Sequence, residues 1–385
     1  MKNDGSMMNS ITDVKKTARY DNIDLMEAIA MLMVISYHMT ADSMTVNSDI
    51  LGAPSAASYI NYIVMSVLSV CVPVFFFANG FLLINKPLDL KKHLLKMLRL
   101  AGLAIVWAFT DSFAVMAITG EWVGLKTFLH NIWDMKIGWM HHLWFLGALL
   151  CVYVFLPLIK AALEKSVKIF NYWVAVCVIF VMGNMLIVEA LRIAGYVITG
   201  RSLFITDNIF HIINPFRGVY GQAFLYFAIG SFVGVHREKI QEYTDSKRYI
   251  NTFTLTAVLI ISTLLLGLYG IYVCRSSGIY FDHVFGGYNT VFTGINVLVL
   301  YELCLKYKYR DNFLCRYIRA VSSCSLGIYL MHIIFLAIVQ TSGLTDLAIA
   351  KNWLFNIICS FMILTVCLAI VQIMKKIPGI RRLVR

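Results

Sequence analysis

The sequence predicts an all-α fold, a polytopic membrane bundle of about ten transmembrane helices, on three observations. Of 385 residues, 59% are hydrophobic and 14% charged, with a mean hydropathy of +0.75; soluble chains run at roughly 45–50% apolar and about 25% charged. Apolar stretches long enough to cross a bilayer recur along the chain, and such a crossing takes about 20 residues because lipid offers no partner to an unpaired backbone amide. The basic residues collect in alternate connections between those stretches. A soluble enzyme, a disordered chain and a collagen-like repeat are excluded by the first two.

Ten stretches qualify, at approximately 23–40, 57–84, 95–118, 143–162, 170–191, 219–235, 250–273, 284–305, 319–340 and 353–374. Together they form one membrane domain over 23–374, between a polar tail at 1–22 and a basic tail at 375–385. The first follows Lys2, Lys15, Lys16 and Arg19 and has no small-residue cleavage site after it, so it reads as an uncleaved anchor. The second is interrupted by Asn79-Gly80, a pair that permits a kink or a close helix approach. The third opens on Lys96 and Arg99 and carries Asp111; the fourth opens behind His141 and His142; the fifth ends at Glu189. The sixth and seventh hold no charge, the eighth ends at Glu302, the ninth carries Ser325, Tyr329 and His332, and the tenth runs into Lys375-Lys376. The longest loops, 119–142 and 192–218, include Arg201 and Arg217.

Of the 33 Lys and Arg residues, 26 lie in the tails and even-numbered connections with their adjoining helix ends, and 7 in the other connections. Basic residues stay on the cytoplasmic side, so both termini are predicted to be cytoplasmic, in the plasma membrane. The net charge of +12 is then an orientation signal facing anionic lipid, and no nucleic-acid partner is expected. Nine cysteines are an odd number, and Cys71, Cys151, Cys177, Cys324, Cys359 and Cys367 lie in predicted spans without metal-ligand spacing. They read as small apolar filler, with no disulfide framework and no metal.

Ionisable side chains are expensive in a membrane, which makes each a site candidate. Glu27 and His38 are eleven residues apart, close to three helical turns, so they share a face about 16 Å apart along the axis. A neutral imidazole suits removal of a proton from a hydroxyl as it attacks an ester or thioester carbonyl; an interfacial histidine at a helix end is the alternative. Lys96 and Arg99, three apart, either clamp the phosphates of a nucleotide-like ligand or snorkel to lipid headgroups. Ser325, Tyr329 and His332 share one face, lining a polar site or making an interhelical hydrogen bond. His142 beside Trp144 forms an aromatic and imidazole rim of the kind on which sugar rings stack.

Several local patterns resemble those of the integral-membrane acyltransferase-3 family, which acylates sugars of cell-surface and secreted polysaccharides. Asn22-Ile23-Asp24-Leu25-Met26-Glu27-Ala28-Ile29-Ala30 through Val34 to His38 is similar to the family's opening helix, a basic residue, ten others, then histidine. Val72-Pro73-Val74-Phe75-Phe76-Phe77-Ala78-Asn79-Gly80-Phe81 resembles its second-span signature, and Lys96-Met97-Leu98-Arg99 stands where the family has Arg-x-x-Arg. His142-Leu143-Trp144-Phe145 and Ser325-Leu326-Gly327-Ile328-Tyr329-Leu330-Met331-His332 are similar to its fourth-span and late-helix patterns. The patterns occur in the family's order over essentially the whole chain. Three positions depart: Glu27 replaces Arg or Lys, Lys96 replaces the first Arg, and Asn79 replaces a common Ser.

The resemblance implies a membrane acyltransferase that takes a short acyl group from cytosolic acyl-coenzyme A, acetyl-coenzyme A first of all. The acceptor is a hydroxyl of a cell-envelope or exported glycan, or of a lipid-linked sugar. His38 is then the general base, oriented by Asp111 or Glu189; Lys96 and Arg99 hold the donor phosphates, with Glu27 beside them and able to pair with either. Asn79, His142, Trp144, Tyr329 and His332 line the acceptor side. A transporter or flippase for a polar or lipid-linked sugar is the other class open to these residues, with His and acidic side chains as a proton path, although no internal repeat is evident. Glu27 also leaves open a noncatalytic assembly or sensing component.

Overall fold

The computed structural model describes residues 19–43, 46–134, 138–200, 209–210, 212–216, 218–247 and 249–384. Most of the N-terminal tail, and both Arg201 and Arg217, lie outside the described residues. The helices are α1 (Asp21–Ser43), α2 (Val46–Leu51), α3 (Ala56–Met65), α4 (Cys71–Ile84), α5 (Leu90–Thr119), α6 (Leu125–Asp134) and α7 (Trp144–Lys165). They continue with α8 (Val167–Cys177), α9 (Asn184–Thr199), α10 (Gly221–Ser246), α11 (Thr252–Ser277), α12 (Val291–Lys306), α13 (Phe313–Thr341) and α14 (Trp353–Lys376). Short polar side chains start many of them: Asp89, Ser166, Asn251, Thr290, Asn312 and Asn352 each accept a backbone N–H of the first turn, satisfying amides that the helix itself leaves open.

Among the described residues, eight helical segments are long and apolar enough to cross a membrane, against ten expected. The predicted sixth and eighth stretches became α10 and α12. α12 is only 16 residues long, and the second half of α10 carries His236-Arg237-Glu238-Lys239. Two segments are also interrupted. A 3-10 turn at Ser66–Val70 separates α3 from α4, and a π-helical segment at Val178–Gly183 joins α8 to α9. The apolar start expected for the eighth stretch is not helical: Gly286 and Gly287 disfavour helix, Asp282 accepts the Val284 N–H at 2.8 Å, and Thr290 caps α12 only afterwards.

α1 packs against α4, α12, α13 and α14. Met26, Ala30, Met31 and Ile35 on it are fully buried, as expected of a helix whose apolar residues are spread around its circumference. α4 and α10 touch backbone to backbone. A Cβ at Gly80 would stand 2.2 Å from the Phe227 carbonyl oxygen, and one at Gly230 2.0 Å from that of Phe77, the close approach that small residues allow between membrane helices.

Candidate active site

At the His38 end of α1, a cavity of about 520 Å3 opens between α1, α4, α13, the 3-10 turn Gly138–Leu143 and the irregular segment 278–290. His38, His141 and His142 line it together with Tyr37, Trp144, Phe285, Tyr288 and Tyr329. The His332 ring lies behind them, 5.3 Å from that of His38 and 5.4 Å from that of His142, centroid to centroid. It is fully buried rather than part of the cavity wall, and its Nδ1 bonds the Tyr329 carbonyl oxygen. A carbonyl only accepts, so Nδ1 carries the proton and Nε2 is left as an acceptor. That Nε2 has no hydrogen-bond partner among the described residues.

Asp111, 0% exposed, comes from α5 to within 3.5 Å of His142 Nε2. The Tyr329 hydroxyl donates to the His142 carbonyl oxygen. His142 is thereby fixed by both ring and backbone. Next to His38, the Tyr37 hydroxyl donates to Asp282 Oδ2 at 2.7 Å. Burial of Asp282 pushes its carboxyl above the usual carboxylate range, and the Tyr37 bond opposes that shift.

At the Glu27 end the polar groups form a different net. Ser322 on α13 bonds Asp24 at 2.7 Å and Glu27 at 2.6 Å, Arg19 pairs with Asp24, and Arg319 grips Asp21 at 2.7 and 3.0 Å. Lys96 donates to the Tyr153 hydroxyl at 3.1 Å, and that hydroxyl donates to Asn79 Oδ1 at 2.8 Å. Tyr153 is held at its backbone as well. Pro157 has no N–H to offer the carbonyl four residues back, and His93 Nε2 takes that Tyr153 oxygen at 2.8 Å.

The fold thus gathers His38, Asp111, His142, Trp144, Tyr329 and His332 at one end, and Lys96 and Asn79 at the other. Asn79 is bonded within the Lys96 net and does not face the cavity. Asp111 stands beside His142 rather than His38. Glu189, 5% exposed on α9, has Arg192 and Tyr269 as neighbours and belongs to neither end. Glu27 is bonded by Ser322, not by Lys96 or Arg99, and Arg99 is exposed one turn beyond Lys96. Tyr37, Tyr153, Asp282 and Phe285 escaped the sequence reading, with only Tyr37, adjacent to His38, carrying a positional hint, and Ser322 stands out in sequence only as one of a run of small residues suited to close helix packing. Among the described residues no group of three or more His, Cys, Asp or Glu side chains has the geometry to hold a metal ion.

A family model described as an acyltransferase domain matches residues 20–372, nearly the whole chain. The chain belongs to the acyltransferase-3 family. As a member it is a membrane O-acyltransferase, an enzyme that moves an acyl group from a donor to an acceptor. The matched region spans both the His38 cavity and the Lys96 net. No curated protein and no solved structure matches the chain.

Proposed function

We propose that this acyltransferase moves a short acyl group, acetyl first of all, from acyl-coenzyme A to a hydroxyl of a sugar in a cell-envelope or exported glycan. The observation that carries the reading is His38 on the wall of a cavity of about 520 Å3 with two further imidazoles and a run of aromatic rings. Apolar rings with a few fixed polar groups suit a small polyhydroxylated ligand. His38 takes the proton of the acceptor hydroxyl as its oxygen bonds to the thioester carbonyl carbon; the C–S bond then breaks, and the proton passes to the departing thiolate. His142, with Asp111 behind it, holds the acceptor side, and His332 backs both rings.

Lys96 and Arg99 meet the donor's phosphates at the other end, where the basic excess also argues for the cytoplasm and for a plasma-membrane enzyme with both termini inside. The roughly 16 Å of helix between Glu27 and His38 lies within the reach of a pantetheine arm. The test is purified protein with acetyl-labelled coenzyme A and a candidate glycan, following thioester loss and label on the acceptor. Transfer that depends on His38 is expected. Full activity in His38→Ala, or no thioester turnover with any acceptor, sinks the reading.

A further inference from the structure

The segment 278–290 is irregular, yet three tyrosine hydroxyls help to tie it down. The Tyr62 hydroxyl donates to the Phe281 carbonyl at 2.6 Å, the Tyr226 hydroxyl to the Tyr288 carbonyl at 2.7 Å, and the Tyr37 hydroxyl to the Asp282 carboxylate at 2.7 Å. Of these three tyrosines, Tyr37 is the one whose ring lines the cavity, and it adjoins His38. Asp282 uses both oxygens, Oδ2 for Tyr37 on α1 and Oδ1 for the Val284 N–H at 2.8 Å. One side chain therefore joins α1 to the turn that presents Val284, Phe285 and Tyr288 to the cavity. Phe285 is the hub of that wall, with ring centroids 5.4 Å from His141, 5.8 Å from Trp144 and 6.3 Å from Tyr37.

We infer that Asp282 is a positioning residue for the acceptor: through Tyr37 it holds the Phe285 side of the cavity wall against His38, and a pyranose ring stacks on that wall. The inference rests on the acceptor reading of the cavity proposed above. The hydrogen bond to a carboxylate is of the stronger kind, and the loss of either partner frees the Val284 and Phe285 side of the wall, while Tyr226 still holds Tyr288, without touching the donor end.

The test uses full-length enzyme with acetyl-coenzyme A and a panel of 4-nitrophenyl hexosides as acceptors. Asp282→Ala and Tyr37→Phe are each expected to raise the acceptor KM about tenfold, and the double variant is expected to be no worse than either, because both remove the same link. In Asp282→Ala the KM for acetyl-coenzyme A stays as in the wild type. Unchanged acceptor KM, effects that multiply in the double variant, or a parallel rise in the KM for acetyl-coenzyme A overturns the inference while leaving the proposed function standing. A wild-type enzyme that acylates and binds none of the hexosides removes the sugar acceptor, and the inference with it.

Discussion

At one end of α1, His38 looks onto a cavity whose polar groups are imidazoles and phenols; three turns back, Glu27 is locked by Ser322 among carboxylates and guanidinium groups. The first end keeps hydrogen-bonding capacity in reserve, since the buried Nε2 of His332 has no partner among the described residues. The second spends its capacity on bonds between α1 and α13, which tie the helices together. Buried polar groups are normally satisfied, and His332, packed behind the cavity wall, departs from that norm. The net at the Glu27 end instead ties α1 to α13.

The largest break in that comparison is His38→Ala, expected to reduce acyl transfer by roughly 10²- to 10⁴-fold, the usual worth of a general base, as read by label on the acceptor. Asp111→Asn removes the carboxyl group beside His142 and is expected to lower kcat about 10- to 100-fold with the donor KM unmoved. A donor KM that changes instead would couple the two ends. On the other side, Tyr153→Phe takes the oxygen that joins Lys96 to Asn79 and is expected to raise the donor KM about fivefold while sparing the acceptor KM. Ser322→Ala is the smallest, about 1 kcal/mol of stability, seen as a lower unfolding temperature at unchanged KM values. Because Glu27 bonds Ser322 and not Lys96, Glu27→Lys is not expected to rescue Lys96→Glu; recovery of activity in that double variant would relocate Glu27 to the donor net.

Much of the candidate site's membership was legible because an ionisable residue in an apolar stretch stands out. His38, Asp111, His142 and His332 were all visible in this way. Their partnerships were not. Asp111 and Glu189 looked equivalent as neighbours for His38, and packing gave Asp111 to His142 and left Glu189 beside Arg192. Asp282 sits outside the apolar runs, where a carboxylate is unremarkable in sequence; its importance comes from a bond to a tyrosine 245 residues away. Likewise Val284 and Phe285 read as the start of a span, and became cavity wall because the glycines after them and the Thr290 cap delay the helix.

Composition, apolar length and the placement of 26 of 33 basic residues by themselves determined a helical membrane chain and its expected orientation, because the cost of an unpaired amide or a charge in lipid acts on each segment separately. Helical periodicity also put Glu27 and His38 on one face. Which imidazole meets which acid, which tyrosine holds Lys96, and what closes the cavity were decided by tertiary structure alone. Those contacts join α1, α5, α7, α13 and the 278–290 segment across distances in sequence that no local pattern records.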